Sequence, residues 1–383
     1  MHLLILHQAT VFGGAERTTA NLLSHLDREL VSKITLAAPH ALRAHLPQAY
    51  DEFVDTAPSR MHGHFENLPD MRRDVATLAD LLHGVRPDIA LGMMHYSSAL
   101  VVLGRRRAGL KIPTVGGFRG PYSEYIRRYE PEFHRRLFLR LAIGLTARLA
   151  DRILVPSQGT REDTCRYFWG VRSRTLVIPN GIEAAAVEAQ AQAPAEGLQH
   201  LPAELPLLCT AARLSAEKDL AVLIDAWRRV QETLPCALVV VGDGGERAAL
   251  EHRAKQGGLA DRLAFVGHRA NVYPYMRRAD VYVHTCQFEG FGYTMLEAMA
   301  CGTPVIATDC PHGPREVLGG GEYGVLVPPG DPDALAVGIA GLLANANQQE
   351  VLRARGLQRA RELSVQRMAA RFACVFDQLT AGG

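Results

Sequence analysis

Long apolar runs, paired cysteines and a large net charge are all missing from this sequence. It has no run of about 18 apolar residues, which excludes a membrane-spanning helix of ordinary length. Its seven cysteines form no Cys-x-x-Cys pair and no regular spacing, a pattern that favours reduced thiols in a cytoplasmic protein. The N-terminal apolar run, residues 1–7, lacks a small-residue cleavage site and is typical of a first strand, not of a signal peptide.

Metal-ligand patterns are also scarce. His62 and His64 are the nearest approach to a cluster, and no third ligand lies close to them in the sequence. Asp331 and Asp333 precede an Ala- and Leu-rich helical run, where Asp331 is better explained as a helix N-cap. We therefore expect neither a metal site nor a bound cofactor.

The composition predicts a globular protein of two domains. The chain has 383 residues, of which 48% are hydrophobic and 21% charged, enough for two cores of ordinary size. Its net charge of +2 is unevenly distributed, since residues 101–150 contain 11 Lys and Arg against 3 Asp and Glu. Such a basic block in one half calls for a specific explanation.

Short apolar strands alternate with helical segments along the whole chain. The pattern predicts two consecutive α/β domains with parallel sheets, at residues 1–182 and 207–365. An Ala-, Gln- and Pro-rich linker over 183–206 separates them, and a last helix occupies 366–383. The predicted strands begin near Leu3, Ile34, Ile89, Pro113, Asp151, Thr175, Leu207, Ala237, Leu263, Asp280, Val305 and Val325.

A carboxylate followed by two glycines opens a predicted helix in the second half. Glu289, Gly290, Phe291 and Gly292 precede the segment Tyr293–Ala300. Glycines at a helix entry let backbone N–H groups approach an anion, which the helix N-terminus also attracts. Glu297 follows one turn into the helix, so the two carboxylates suit a ligand with a phosphate end and a hydroxyl-rich end, as in a sugar nucleotide. As an alternative, Thr294 and Glu297 fit a capping box.

Two further turns have a composition suited to phosphate. Arg213 and Lys218 lie five residues apart after a predicted strand, where they could contact a diphosphate from two directions. Gly13 and Gly14 join the first strand to the first helix, again in outline an anion-binding turn. The alternative for this Gly-Gly pair is a tight turn that requires positive φ.

The spacing Glu289-x7-Glu297 with Gly-Phe-Gly inside it resembles the paired-glutamate motif of retaining GT-B glycosyltransferases, glycosyltransferase family 4. The Arg213-x4-Lys218 pattern and the Gly13-Gly14 turn stand in the order that this family has. The resemblance covers essentially the whole chain. It implies a GT-B fold of two doubly wound Rossmann-like domains facing across a cleft, metal independence, and transfer with retention of anomeric configuration. It also implies that the last helix packs back on the first domain.

The same resemblance assigns roles to individual residues. Arg213 and Lys218 would stabilise the leaving diphosphate, Glu289 would hold the sugar hydroxyls and Glu297 the ribose hydroxyls. The Gly13-Gly14 turn and the amides of residues 290–292 would border the diphosphate. The remaining nucleotide-binding candidates are a turn near the nucleotide and a loop that lines the base: Asp243, Gly267, Asn271 and Val272.

Two candidate site residues lie at the ends of predicted strands in the first half of the chain. His95 follows the strand that begins at Ile89, at the edge where open α/β sheets bind ligands, although a lone histidine is more often structural. Arg119 follows the next strand, at a point where many relatives have histidine. An arginine stays protonated, so it cannot act as a base, but it could hold a phosphate or an anionic sugar.

The basic segment 105–148 interleaves arginines with apolar residues at helical spacing. It could rest on anionic lipid headgroups, which suits a lipid-linked acceptor. The alternative is a solvated basic face above a buried apolar stripe. No nucleic-acid-binding motif accompanies the charge, so nucleic acid is not an expected partner.

The run Asp309-Cys-Pro-x-Gly-Pro-x-Glu316 looks like that of bacterial enzymes that build cell-surface glycans. It favours a UDP-hexose or UDP-N-acetylhexosamine donor and a lipid-linked or lipopolysaccharide acceptor, on the cytoplasmic side and in peripheral contact with the membrane. The alternatives are a nucleotide-sugar epimerase of the same fold and a non-catalytic nucleotide- or carbohydrate-binding protein.

Overall fold

The computed structural model describes residues 1–8, 13–57, 68–255 and 260–382. The chain forms two compact units. The first comprises Met1–Gly181 together with the C-terminal segment that begins at Val365, and the second comprises Ile182–Ser364. Both are α/β structures with parallel sheets, as the alternating pattern predicts.

Seven parallel strands form the sheet of the first unit, in the order β3-β2-β1-β4-β5-β6-β7. They are β1 (His2–Leu6), β2 (Lys33–Ala38), β3 (Glu52–Asp55), β4 (Ile89–Met93), β5 (Thr114–Gly117), β6 (Arg152–Val155) and β7 (Thr175–Val177). The sequence analysis missed β3, because this short edge strand is half-exposed and carries no apolar run.

Helices cover both faces of this sheet. They are α1 (Gly14–His25), α2 (His40–Arg43), α3 (Leu68–Val85), α4 (Met94–Arg107), α5 (Tyr122–Tyr129), α6 (Phe133–Leu149), α7 (Gln158–Tyr167) and the C-terminal helix Val365–Ala381. Successive side chains of β1 point to opposite faces, so Leu3 and Ile5 enter one apolar core and Leu4 and Leu6 the other. This burial on both sides is the doubly wound arrangement.

The second unit repeats the design with six parallel strands in the order β10-β9-β8-β11-β12-β13. They are β8 (Leu207–Ala211), β9 (Ala237–Val241), β10 (Leu263–Gly267), β11 (Val281–His284), β12 (Val305–Thr308) and β13 (Val325–Val327). The helices of this unit are α8 (Ala184–Gln190), α9 (Leu220–Val230), α10 (Arg247–Lys255), α11 (Tyr273–Arg278), α12 (Tyr293–Ala300), α13 (Pro314–Val317), α14 (Pro332–Ala344) and α15 (Ala346–Glu362). The C-terminal helix Val365–Ala381, which belongs to the first unit, is numbered α16.

The segment expected as a linker, 183–206, lies within the second unit. It begins with α8, and Val187 and Ala191 are buried in the core of that unit. Helix α16 belongs to the first unit, where Met368, Phe372 and Phe376 pack into the same core as Leu3 and Ile5. In the part of the chain that the structure describes, no helix is long and apolar enough to cross a membrane.

The packing of α16 leads to a stability prediction. Phe376 is fully buried, so we expect Phe376→Ala to lower the free energy of unfolding of the first unit by about 3–5 kcal/mol, the usual cost of a large core cavity. Urea denaturation followed by circular dichroism measures the change. Val337→Ala is the matched control, because Val337 is 73% exposed. Equal unfolding midpoints for the two variants would contradict the assignment of α16 to this core.

Candidate active site

The carboxyl ends of β9, β8, β11 and β12 are neighbours in the second sheet. The loops that follow these strands are joined by main-chain and side-chain hydrogen bonds. The Leu214 N–H donates to the Asp243 carbonyl at 2.9 Å, the Thr285 hydroxyl to the Lys218 carbonyl at 3.0 Å, and the Glu289 N–H to the Pro311 carbonyl at 3.2 Å. Candidate residues from separate parts of the sequence thus share one hydrogen-bonded framework, at the edge where open sheets bind ligands.

Glycines in the loop after β9 permit this close packing. Gly242 has φ +134°, and a Cβ at this position would clash with the Ala212 carbonyl oxygen. Gly244 has φ +158°, and a Cβ there would clash with the Leu214 carbonyl oxygen. These glycines therefore let the β9 loop lie against the β8 loop, which positions the chain next to Arg213.

The structure brings Lys218 and Glu289 together. The Lys218 Nζ lies 2.7 Å from the Glu289 Oε2, and the two side chains are 20% and 17% exposed. The other carboxylate oxygen of Glu289 accepts a hydrogen bond from the Gly290 N–H at 3.0 Å. Asp219, in a left-handed conformation with φ +49°, turns the chain from Lys218 into α9. A cation and a carboxylate are thus held in contact by two different loops.

The charge state of Glu289 follows from this contact. Burial alone would raise the pKa of the Glu289 carboxyl. The opposing effects of the Lys218 ammonium, of His284 and of the hydrogen bonds from Lys218 and Gly290 are larger together, so the pKa falls to about 2. Glu289 is therefore a carboxylate at neutral pH and can accept hydrogen bonds from hydroxyl groups.

Two neighbours of Glu289, His284 and Cys286, were not among the residues that we selected from the sequence. The His284 Nε2 lies 3.2 Å from the Cys286 Sγ and 3.8 Å from the Glu289 Oε2, and the Nδ1 lies 3.4 Å from the Thr294 hydroxyl. Burial lowers the pKa of His284 to about 4 and raises the pKa of Cys286. The sequence feature that could have identified His284 is its position at the carboxyl end of the buried strand that precedes the Glu-Gly-Phe-Gly motif.

The atoms of His284, Cys286 and Glu289 that could bind a metal lie within 4.8 Å of one another. The ammonium of Lys218 already contacts Glu289 at 2.7 Å, and its charge would oppose a second cation there. His62 and His64 lie outside the described residues. Asp331 is confirmed as a helix cap, because its side chain accepts hydrogen bonds from the N–H groups of Asp333 and Ala334.

Arg213 is held by a carboxylate of its own loop. Its guanidinium lies 2.7 Å from the Glu217 Oε1, an oxygen that also accepts a hydrogen bond from the Ser215 hydroxyl at 2.7 Å. The Glu217 side chain is 3% exposed, whereas that of Arg213 is 59% exposed. The buried glutamate therefore anchors one edge of a guanidinium that faces solvent.

The start of α12 tests the capping-box interpretation of Glu297. The N-cap of this helix is Gly292, with φ +95°, and the helix begins at Tyr293. Thr294 is therefore the second helical residue and not the cap, so the capping-box alternative is wrong. Glu297 is 2% exposed and Phe291 3% exposed, which places both in the interior beside the Gly290 turn.

The other nucleotide-binding candidates mainly shape their loops. Asp243 accepts hydrogen bonds from the Gly244 N–H at 2.8 Å and from Arg247 at 3.0 Å. The carbonyl of Gly267, a residue with φ +75°, accepts a hydrogen bond from the Gly242 N–H at 2.8 Å. Asn271 donates to the Gln190 carbonyl at 2.8 Å, and Val272 is the N-cap of α11. Gly267 is thereby placed directly beside the Gly242 turn.

In the first unit, the Gly-Gly turn contains a buried carboxylate that sequence analysis did not select. The Gly13 N–H donates to the Glu16 Oε2 at 2.8 Å, and the Glu16 Oε1 lies 3.0 Å from the His7 Nε2. The His7 Nδ1 lies 2.7 Å from the Thr19 hydroxyl. Gly13 is extended, with φ −156°, and Gly14 is helical, so the alternative of a positive-φ turn is wrong.

His95 and Arg119 follow the adjacent strands β4 and β5. The His95 N–H donates to the Tyr122 hydroxyl at 3.1 Å, and burial lowers the pKa of His95 to about 4, so its imidazole is neutral at pH 7. The Arg119 guanidinium donates to the Asn180 side-chain oxygen at 3.4 Å and lies 5.5 Å from the Phe372 ring centroid. Asn180, which the sequence analysis did not select, is thus one of the contacts that orient Arg119.

The lowered pKa of His284 predicts a pH-dependent stability. The unfolded chain binds a proton near the ordinary value of 6.5, whereas the folded chain binds it only near pH 4. The contribution of the neutral His284 to the free energy of unfolding is therefore fully present above about pH 6.5. It is lost as the pH falls toward about 4, which lowers the free energy of unfolding by on the order of 3 kcal/mol. His284→Gln should flatten this profile in urea denaturation followed by the fluorescence of the buried Trp227, and the exposed-site control His200→Gln should not. Parallel profiles for wild type and His284→Gln would contradict a neutral buried imidazole.

Comparisons with known proteins bear on the family and the fold of the chain. The model of Glycosyltransferase Family 4 matches residues 12–186, and that of glycosyl transferases group 1 matches residues 199–359. The lipopolysaccharide core biosynthesis glycosyltransferase LpsE of Rhizobium meliloti is 25% identical over 346 residues, 90% of this chain and 89% of that protein. An N-acetylgalactosaminyltransferase of Campylobacter jejuni that acts on a diphospho-undecaprenol-linked sugar is 26% identical over 222 residues, 58% of this chain and 59% of that protein.

Among solved structures, HepE from Anabaena in complex with UDP superposes with a TM-score of 0.80 at 22% identity, over 99% of this chain and 100% of that one. This likeness shows the GT-B fold. The chain spans about half the length of the first curated relatives that it matches, 48%, 59% and 44%. With the two family models covering its two halves, the chain belongs to the GT-B glycosyltransferases, with a family 4 first half and a group 1 second half.

Proposed function

We propose that this protein is a retaining glycosyltransferase that moves a hexose or N-acetylhexosamine from a nucleotide sugar, with UDP as the nucleotide, to a hydroxyl of a lipid-linked or cell-surface glycan. The observation that carries the proposal is the contact of 2.7 Å between Lys218 and Glu289 at the carboxyl edge of the second sheet. It joins a phosphate-binding cation to a carboxylate that can accept hydrogen bonds from sugar hydroxyls.

The leaving group sets the main chemical demand. Cleavage of the bond between sugar and phosphate leaves negative charge on the diphosphate, and this charge must be stabilised in the transition state. Lys218 supplies a compact charge and Arg213 a fork of N–H donors. Because Glu217 anchors the Arg213 guanidinium at 2.7 Å, little reorganisation is needed when the diphosphate binds. The N-terminus of α12 adds a favourable dipole.

Glu289 acts as a hydrogen-bond acceptor in this proposal. With a pKa of about 2, it does not donate a proton at neutral pH. Its carboxylate holds sugar hydroxyls, and its charge favours the positive character that develops on the sugar ring as the bond to phosphate breaks. Retention then follows from attack of the acceptor hydroxyl on the face that the diphosphate leaves, with a phosphate oxygen taking the acceptor proton. Glu297 binds the ribose hydroxyls.

The first unit binds the acceptor. Arg119 stays charged and suits a phosphate or an anionic sugar, while the neutral imidazole of His95 suits a hydroxyl. In this proposal the Gly13-Gly14 turn binds phosphate, and Asp243, Gly267, Asn271 and Val272 surround the nucleotide. All the positive charge comes from side chains and amides in this scheme, so it needs no metal or cofactor.

The relatives support the choice of substrates. LpsE takes part in lipopolysaccharide core biosynthesis, the Campylobacter enzyme acts on a lipid-linked sugar, and HepE binds UDP and UDP-glucose. We also propose a cytoplasmic location, since all seven cysteines are free thiols, with peripheral contact to an anionic membrane through the basic segment 105–148 and without nucleic acid as a partner.

Release of free nucleotide from a panel of UDP- and GDP-sugars tests the proposal. We expect UDP release from a UDP-sugar, and a loss of about 10²-fold in turnover for Lys218→Ala or Arg213→Ala, because each removes charge from the transition state. Lys111→Ala, which changes an exposed lysine of the first unit, serves as the control. Near-wild-type turnover in either site variant would refute this mechanism.

The same assay separates the alternatives. Interconversion of the donor sugar without release of nucleotide would indicate an epimerase. Nucleotide binding without any turnover would indicate a non-catalytic binding protein.

The role of Glu297 is tested by nucleotide affinity. We expect Glu297→Gln to raise the Kd for UDP by about tenfold or more, because hydrogen bonds to a charged group contribute roughly 1.5–3 kcal/mol. Isothermal titration calorimetry measures the change, with the exposed Glu322→Gln as the matched control. An unchanged affinity would contradict the proposed contact with ribose.

A further inference from the structure

Helix α6 exposes an unusual number of large apolar side chains. Phe133 is 77% exposed, Leu141 63% and Leu145 58%, and Leu137 and Phe138 are also exposed. Four of these five recur every fourth residue, so they form one stripe that extends about 18 Å along the helix. Single exposed apolar residues are ordinary, but a continuous stripe usually marks a binding surface.

This stripe is not the buried side of the helix. Leu139 and Ile143 occupy that side and pack into the core with Phe118 and Phe168. Helix α6 is therefore apolar on two faces. The alternative that the sequence left open, a basic face above one buried apolar stripe, is wrong for these residues.

Trp169 extends the exposed stripe at the C-terminal end of the helix. Its side chain is 81% exposed, and its ring lies 5.4 Å from the Arg148 guanidinium carbon. The loop that carries Trp169 is tied to α6, because Arg140 donates to the Tyr167 carbonyl at 3.0 Å. We call the surface formed by Phe133, Leu137, Phe138, Leu141, Leu145 and Trp169 the α6 face.

The charge along α6 itself is positive. The helix contains Arg135, Arg136, Arg140 and Arg148 and no aspartate or glutamate. Arg136 donates to the carbonyls of Glu130 and Pro131 at 2.6 Å and 2.7 Å. Carbonyl acceptors position a guanidinium without neutralising it, so Arg136 and Arg140 present positive charge next to apolar side chains. Arg135 instead lies 3.1 Å from the Glu132 carboxylate, which compensates its charge.

The N-terminal part of the segment 105–148 is different. Arg105 lies 2.6 Å from the Asp151 carboxylate and is only 17% exposed, so its charge is compensated within the fold. Arg105 therefore adds no uncompensated charge to the protein surface, whereas α6 joins arginines to exposed apolar side chains.

We propose that the α6 face binds an anionic lipid bilayer, with α6 lying in the plane of the interface. Phe133, Leu141 and Leu145 enter the boundary between headgroups and acyl chains, while the arginines contact lipid phosphates and Trp169 lies at headgroup level. This inference rests on the proposed function and narrows its membrane contact from a basic segment to one helical face. In this orientation the protein would meet a lipid-linked acceptor at the bilayer surface in which the lipid is embedded.

A second copy of the chain fits this face less well. A symmetric dimer would place the α6 face against itself, so Arg136, Arg140 and Arg148 of one copy would oppose the same three residues of the other. A bilayer with anionic headgroups supplies both the apolar environment and the opposite charge.

Sedimentation with vesicles tests the inference on the full chain. We expect binding to vesicles of phosphatidylcholine mixed with phosphatidylglycerol, and much weaker binding to phosphatidylcholine alone, since each basic residue near the surface contributes about 1 kcal/mol with anionic lipid. The double variant Leu141→Ser/Leu145→Ser should lower partitioning onto the mixed vesicles about tenfold or more. Val337→Ser, at an exposed valine of the second unit, should leave it unchanged.

A second pair of variants tests the charge. Arg148→Gln should weaken binding to the mixed vesicles several-fold, and Arg361→Gln, at an exposed arginine of α15, should not. Nucleotide release without vesicles should stay at the wild-type rate in Leu141→Ser/Leu145→Ser. Loss of membrane binding is thereby distinguished from loss of the transferase itself.

Three results would overturn the inference. The first is wild-type protein that does not sediment with the mixed vesicles. The second is a double variant that binds them as well as wild type. The third is self-association in sedimentation velocity that Leu141→Ser/Leu145→Ser abolishes, which would assign the α6 face to a dimer instead.

Discussion

The ion pair between Lys218 and Glu289 is the contact on which the candidate site depends. Each partner is largely buried, and removing one would leave the other charge poorly solvated, so the fold favours keeping both. The pair comes from loops 71 residues apart in sequence. Its geometry is therefore a property of the sheet that brings β8 and β11 together.

Both units use the same structural logic. In a parallel sheet all the strands end at one edge, so residues that follow different strands become neighbours. In the second unit this edge gathers Arg213, Lys218 and Glu289, and in the first it gathers His7, His95 and Arg119. A buried acidic residue then orients a functional group, as Glu217 does for Arg213. The proposed chemistry relies on this support, because a preorganised charge stabilises a transition state more than a mobile one.

Much of this architecture can be predicted from the sequence, because strands buried on both faces give clear apolar runs. The strand ends near Lys218 and Glu289 are examples. The edge strand β3 was missed for lack of such a run. The contact between Arg119 and Asn180 and the burial of the histidine at position 284 depend on the packing of distant segments, which local patterns do not encode. For α6, apolar residues occur on two faces, so periodicity alone could not tell which face the core covers.

The account makes one central claim, that Arg213 and Lys218 bind the diphosphate of a nucleotide sugar while Glu289 binds the sugar. A crystal structure of the protein with a non-hydrolysable UDP-sugar tests this claim most directly. We expect the diphosphate oxygens within hydrogen-bonding distance of the Arg213 guanidinium and the Lys218 ammonium, and sugar hydroxyls that donate to the Glu289 carboxylate. A ligand whose diphosphate contacts neither cation would contradict the account.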